Sequence, residues 1–378
     1  MELSSEDSFR LNVLLANRPL AIRIDEGRMV VYGLSDKGEA KVPLSPSGRP
    51  DHYLRKVKEL ISGHILGSPG GYPVYLRRWT RMGQMRDDSL EQLLMLGEPE
   101  AVVAAVCSPG LTDELARRAW WAMEDAENAR RMLANPAVVR GQMGKILAGY
   151  LVDYLPFETD TEKMAESVRL VLQPGLIDDA QRMELWKRSA RKHAYLVGFL
   201  QAAPDDLPEP KPARGDAPVW SPLLQPLAAQ GNRCASLLIR VHSAAGQTFL
   251  AVAATVLAKP PTQDVVQAAL DVLRLYFAPL RPEDEEPDQT IEDLLGEKDR
   301  LEGPEGDARP EGVAECLAAA PQLAADLAAM RVLSGVGYGV LRPFIGDSTA
   351  VGSLMRRKLA PVLDPLLLEI GALSKTRG

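Results

Sequence analysis

Three features of the sequence predict a mainly α-helical fold, an irregular helical-repeat (α-solenoid-like) array with a small N-terminal α+β module. Strand-like patterning is confined to the first 66 residues, short helical runs broken by Pro and Gly follow residue 72, and a duplication recurs at an offset of 65 residues. With 378 residues, 46% apolar and 25% charged, the chain is long enough for two or three domains and can bury cores without metals or disulfides. Cys107, Cys234 and Cys316 are odd in number, widely separated and never at metal-ligand spacing, so neither a disulfide framework nor a zinc site is expected. That cysteine usage points to a reducing compartment, the cytoplasm. Met1 to Arg10 lacks a basic segment followed by an apolar one, so no secretory signal is expected. The most apolar stretch, Ser236 to Leu257, is interrupted by Arg240, His242 and Gln247, so no membrane span is expected either.

The module at 1–66 rests on strand patterns at Leu20 to Ile24, Met29 to Leu34 and Ala40 to Leu44, separated by Asp25-Glu26-Gly27 and Ser35-Asp36-Lys37-Gly38. Asp51 after Pro50 then opens a helix with Tyr53, Leu54, Val57, Leu60 and Ile61 on its apolar side, ending near Gly63. The 72–203 region is expected to be a helical-repeat domain. In it Val103, Val106, Pro109, Gly110, Leu111, Asp113, Arg117 and Trp121 recur as Val168, Val171, Pro174, Gly175, Leu176, Asp178, Arg182 and Trp186. Each copy reads as a helix, a Pro-Gly turn and a second helix, with the Asp placed to cap free N–H groups. Pairs of this kind bury their apolar faces by stacking.

A Pro-rich linker is expected at 204–222 and a helical domain at 223–280, with Thr262 starting a helix that runs to Phe277. Residues 281–312 carry thirteen acids against four bases, too few apolar groups to pack, and read as an acidic mobile linker with at most a turn of helix near Ile291 to Leu295. Since the net charge is −7, the rest of the chain is close to neutral. A C-terminal helical block occupies 313–378. Its Gly335-Val336-Gly337-Tyr338-Gly339 run follows a helical pattern, so it reads as a helix break and not as a dinucleotide loop.

The sequence contains no catalytic constellation and no metal or cofactor signature. His52, His64, His193 and His242 share no ligand spacing, and no Gly-rich phosphate loop is present. The densest basic segment, Arg77, Arg78, Arg81 and Arg86 with Trp79 interleaved, has the chemistry to hold phosphates and stack a base, against the plainer reading of a solvated helix. A second strip, Arg182, Lys187, Arg188, Arg191 and Lys192, accompanies Trp186. Cys107 precedes the Ser108-Pro109-Gly110 turn and a helix start, which makes it the one cysteine with a reactive reading beside that of a small buried hydrophobe.

The segment Ser62 to Val106, including GHILGSPGGYPVYLRRWTRMGQMRDDSLEQLLMLGEPEAVVAAV, resembles the DsrS family of sulfur reduction proteins. So do SPGLTDELARRAWWAM at Ser108 to Met123 and LVLQPGLIDDAQRMELWK at Leu170 to Lys187. This family is encoded in the dissimilatory sulfite reductase gene cluster of sulfur-oxidising bacteria. The likeness runs from the N-terminus to about Leu280, weakens across the acidic segment, and carries no residue-level mechanism. It implies a soluble cytoplasmic accessory factor in the oxidation of stored sulfur by reverse sulfite reductase, a family without an established activity. Three expectations follow in order of preference: a scaffold that binds a protein of that pathway, a regulator of its expression that binds nucleic acid through the arginine strips, and a thiol-dependent sulfur carrier or enzyme acting through Cys107.

Overall fold

The computed structural model describes residues 2–46, 48–70, 87–281, 289–302, 311–345 and 352–376. Among them are twenty α-helices and one three-stranded antiparallel sheet, so the chain is mainly α with a small α+β module. It divides into two compact units, residues 1–156 with 173–177, and residues 157–172 with 178–378.

The first unit opens with α1 (Ser5–Ala16), which the strand-like patterning downstream gave no reason to expect. Ser4 caps it by accepting from the Asp7 amide, and Leu11, Leu14 and Leu15 supply its buried side. The sheet follows as β1 (Ala21–Asp25), β2 (Val30–Ser35) and β3 (Gly38–Pro43), within a residue or two of the expected strands and in the order β1-β2-β3. α2 (Pro50–Leu66) starts at Pro50 and outlasts the expected end by three residues, stopping at Gly67 with φ of 68°. Leu14, Ile22, Val31, Val42, Tyr53 and Val57 form part of the module's core. Within it Asp7 is buried and accepts from the Tyr53 hydroxyl and, at 2.8 Å, from the Ser45 amide. A Cβ at Gly33 would lie 2.8 Å from Leu14 Cδ1, so a side chain there would require Leu14 on α1 to shift.

Six helices complete this unit: α3 (Asp87–Leu94), α4 (Pro99–Val106), α5 (Asp113–Ala122), α6 (Ala126–Leu133), α7 (Pro136–Val139) and α8 (Gln142–Tyr154). Trp121 ties α5 to the sheet. Its indole donates to Glu39 at 3.0 Å, its carbonyl accepts from Arg23 at 3.2 Å, and the Arg23 guanidinium lies 4.9 Å from its ring centre. Gln173 donates to the Leu133 carbonyl at 3.0 Å, which fastens the 173–177 turn to this unit.

In the second unit, α9 (Thr161–Val171) and α10 (Asp179–Ser189) carry the second copy of the duplication, as α4 and α5 carry the first. The helix-turn-helix expectation holds in both, but the matched residues work differently. Asp178 caps its own helix and forms a capping box with Gln181. Asp113 lies one residue inside α5, whose cap is Thr112, and its carboxylate accepts from Gln142 and Met143 at 3.0 Å each, capping α8 instead. Val103 is 41% exposed, whereas Val168 is fully buried.

The remaining helices are α11 (His193–Ala202), α12 (Ala217–Ala229), α13 (Arg233–His242), α14 (Ala244–Ala258) and α15 (Gln263–Phe277). They continue as α16 (Ile291–Glu302), α17 (Glu311–Ala319), α18 (Ala324–Ser334), α19 (Tyr338–Ile345) and α20 (Gly352–Leu373). Thr262 caps α15 as expected, and Gly335 ends α18 before α19 begins. Among the described residues no single helix is long and apolar enough to cross a membrane, and the apolar α13–α14 stretch bends by 75°.

Two expectations are corrected here. The 204–222 segment is not a linker between domains. Its first half is a strap across the second unit, and its second half is the first turns of α12. Asp205 forms a double ion pair with Arg240 at 2.7 Å, and the Lys211 amide donates to Thr248 at 2.8 Å. The Arg214 amide donates to the His242 carbonyl at 2.9 Å. The Arg214 side chain then enters the interior, 2.6 Å from Asp216 and 2.8 Å from Asp326. His242 Nε2 lies 3.3 Å from the same Asp326 oxygen, and the Trp220 indole donates to Asp216 at 2.9 Å. None of Arg214, Asp216, His242 and Asp326 is more than 4% exposed. Proline-rich composition disguised this segment because its anchors are single charged residues whose partners lie far along the chain.

Within the acidic segment, residues 291–302 are more ordered than their charge implies. Residues 291–302 form α16, with Ile291 and Leu294 buried against the unit. Glu297 accepts from Gln289 at 2.7 Å, Arg281 at 2.9 Å and Arg331 at 2.8 Å. Burial alone would raise its carboxyl, but the Gln289 amide and the two guanidiniums outweigh burial and hold it below its ordinary range. Residues 282–288 and 303–310, the remainder of the expected mobile linker apart from its ends, lie outside the described residues.

Removing Arg214 would leave two buried carboxylates without their cation, which typically costs about 3–5 kcal/mol. Urea unfolding of Arg214→Met should therefore show a loss of that order, with a smaller loss for Asp326→Asn. A change within about 1 kcal/mol for Arg214→Met, the range of an exposed pair, would mean that the cluster does not hold the strap.

Candidate functional site

α12 is unusual among surface helices because no charged residue occurs from Ala217 to Asn232. Trp220 and Leu224 turn inward, while Val219 at 57% and Leu223 at 45% face solvent together with Pro218, Pro222 and Pro226. The helix packs on α13 and α17, leaving this outer side as an apolar strip. Two structural reasons keep it helical there. Pro218 lies in the first turn, where its missing N–H is no loss. Pro222 and Pro226 follow at intervals of four on the exposed side, so the carbonyls of Pro218 and Pro222 lack an N–H donor four residues on but remain open to solvent or a partner. The buried Trp220–Asp216 hydrogen bond fixes the rotation of the helix and hence which side is presented. Two exposed apolar side chains beside three prolines in an uncharged stretch make this side a candidate contact surface.

The second feature is a basic cavity of about 220 Å³ where the starts of α9, α11 and α15 meet. Thr161, Arg191, Lys192, His193 and Lys259 are among its walls. The hydroxyls of Thr161 and Thr262 lie 2.9 Å apart and join the starts of α9 and α15. Those two helices are capped by Asp160 and Thr262, whereas α11, with Lys192 at its cap position, has no side-chain cap. Its free N–H groups and the flanking cations make this corner attractive to an oxyanion. Lys192 also lies over the Tyr195 ring at 5.7 Å, and His193 Nδ1 is buried without a hydrogen-bond partner. The carboxylates nearest in sequence, Asp160, Glu162 and Asp264, are on the exposed outer turns of α9 and α15.

The structure separates the residues singled out from the sequence. Arg77, Arg78, Trp79, Arg81 and Arg86 lie outside the described residues. Of the second strip, Arg188 pairs with Glu184 at 3.1 Å, Arg182 pairs with Asp206 at 3.0 Å, and Lys187 is exposed on α10. Only Arg191 and Lys192 reach the cavity, where His193 and Lys259, not grouped with them by sequence, join them. Cys107 is exposed at the carbonyl end of α4, on the far side of the turn from the start of α5, so it does not occupy the amide end of a helix that its reactive reading required. Among the described residues, no three His, Cys, Asp or Glu side chains are placed to hold a metal ion. His242, which meets the Asp326 carboxylate, belongs to the Arg214 cluster.

Sequence reasoning missed α12 because its prolines read as linker punctuation. The signal that could have found it was the sixteen-residue gap in charge around an inward Trp-x-x-x-Leu pair. No protein-family model matches this chain, and neither a curated protein nor a solved structure does.

Proposed function

We propose that this chain is a cytoplasmic accessory or scaffold protein that supports the oxidation of stored sulfur by the reverse dissimilatory sulfite reductase pathway, acting through protein-protein interaction. The pathway comes from the sequence resemblance alone. The binding role is supported by one observation, the uncharged apolar strip of α12 held in a fixed orientation by buried Trp220. Its occupant is an apolar, uncharged face of a protein of that pathway. A charged partner would lose hydration against this strip and find no countercharge in return. Tagged full-length protein recovered by gentle lysis from sulfur-grown cells should carry a stoichiometric component of the sulfite reductase pathway, and the double change Val219→Glu and Leu223→Glu should abolish that recovery. Bare monomer, or association only with other copies of the same chain, would contradict the proposal.

The basic cavity favours a second reading, regulation of the expression of the same pathway through nucleic-acid binding. Arg191, Lys192 and Lys259 line it with cations suited to phosphate oxygens, so recognition there would be of backbone charge. Gel-shift assays with RNA and DNA should then show binding that falls with salt and weakens in the Arg191→Ala, Lys259→Ala double variant. An unchanged band at low salt removes this reading and leaves the scaffold proposal untouched.

A further inference from the structure

Cys234 and Cys316 stand 82 positions apart in the sequence, yet the packing of their two helices brings the thiols close enough for each to act on the other's titration. Cys234 lies in the first turn of α13 and Cys316 lies on α17, which packs against α13. Asn232 holds the two helices in register. Its Oδ1 caps α13 by accepting from the Ala235 amide at 2.9 Å, and its Nδ2 donates to the Gly312 carbonyl at 2.9 Å and to Glu315 at 2.7 Å. The Cys316 thiol lies 3.8 Å from the same Oδ1. The pairing is thus built by the packing of two helices through one shared polar side chain.

The pair is also reachable from one side. A cavity of about 410 Å³ lies against it, with Asn232, Arg233, Cys234, Leu280, Gly312 and Glu315 among its walls. That volume is within the range of small-molecule sites. Cys234 is 4% exposed and lines the cavity, whereas Cys316 is fully buried behind it. An incoming reagent therefore meets Cys234 first. The sulfur there lies at the amide end of a ten-residue helix, where negative charge is stabilised.

We propose that Cys234 and Cys316 form a thiol-disulfide exchange site that accepts a low-molecular-weight disulfide through this cavity. Cys234 is the attacking sulfur and Cys316 the resolving one. The two thiols titrate as a pair: one proton leaves, and the one that remains is shared between the two sulfurs. Residence of the remaining proton on Cys316 puts the thiolate on Cys234. The Cys234 thiolate attacks one sulfur of the disulfide RSSR, forming a Cys234–SR bond and breaking the RS–SR bond, and the leaving RS⁻ takes up a proton. Cys316 then gives up its proton and attacks the Cys234 sulfur, closing the Cys234–Cys316 bond and expelling the second RS⁻, which is protonated in turn. The balance is RSSR plus two cysteine thiols giving two RSH and one protein disulfide, with two electrons passing from the protein to RSSR. The exposed Cys107 takes no part.

The test uses the folded full-length chain carrying Cys107→Ser and oxidised glutathione as the disulfide. After native incubation and alkylation in denaturant, the mass should correspond to loss of two hydrogen atoms with no alkyl group added, and peptide mapping should show Cys234 joined to Cys316. The Cys316→Ser variant should stop at a single glutathione on Cys234. The Cys234→Ser variant should take up none, because Cys316 is sealed from the cavity. Two alkylatable thiols after incubation of a protein whose circular dichroism remains native would overturn the proposal. So would a glutathione adduct on Cys316 in Cys234→Ser. The parent protein decides the question by itself should either single variant fail to fold.

Discussion

The second unit depends on a buried group of charges contributed by distant parts of the chain. Arg214 reaches Asp216 and Asp326, His242 meets the same Asp326, and the Leu373 carbonyl accepts from Arg214 at 3.4 Å and from Gln247 at 3.3 Å. The strap, α13, α14, α18 and the end of α20 therefore converge on one guanidinium. Taking such groups out of water is costly, and the cost is offset only where geometry and partners are right. An arrangement that is favourable in one register and costly in others fixes which helices meet. The Glu297 group repeats the principle for α16, joining Arg281 and Arg331 through a carboxylate.

This constraint reaches the surface. The cluster holds Asp216, Asp216 holds the Trp220 indole, and Trp220 sets which side of α12 faces out. The candidate docking surface is thus positioned by the interior ion pairs that hold Asp216. Asn232, immediately after α12, plays a comparable part for α13 and α17 and brings Cys234 to Cys316. The orientation of the apolar strip and the thiol pair both follow from how a few polar side chains lock helices together.

How much of this was legible in the sequence depended on the range of the interaction that decides each element. The three strands, α2 and the Thr262 start of α15 were readable because alternation, turn residues and caps are written within a few positions. α1 was missed because its three buried leucines follow a polar N-terminus, and α16 because a count of charges hid Ile291, Leu294 and the pairing of Glu297. The duplication was legible as helix-turn-helix, yet identical aspartates cap different helices, Asp178 its own and Asp113 that of α8, which only tertiary contact decides. The candidate sites were less legible. Arg191 belongs to the basic cavity as a member of the expected strip, but its neighbours His193 and Lys259 come from other turns, and cysteines 82 positions apart gave no hint of lying together.

Residues 203–216 are an integral part of the second unit, pinned by Arg214. Hydrogen exchange of the Arg214 amide, which donates to the His242 carbonyl at 2.9 Å, tests it most directly. Exchange about a thousandfold or more slower than in an unstructured peptide is predicted, since the amide opens only with the unit around it. Exchange within about tenfold of the unstructured rate, in a chain whose α14 and α15 amides stay protected, would show the segment to be the tether its prolines suggest and would contradict the account.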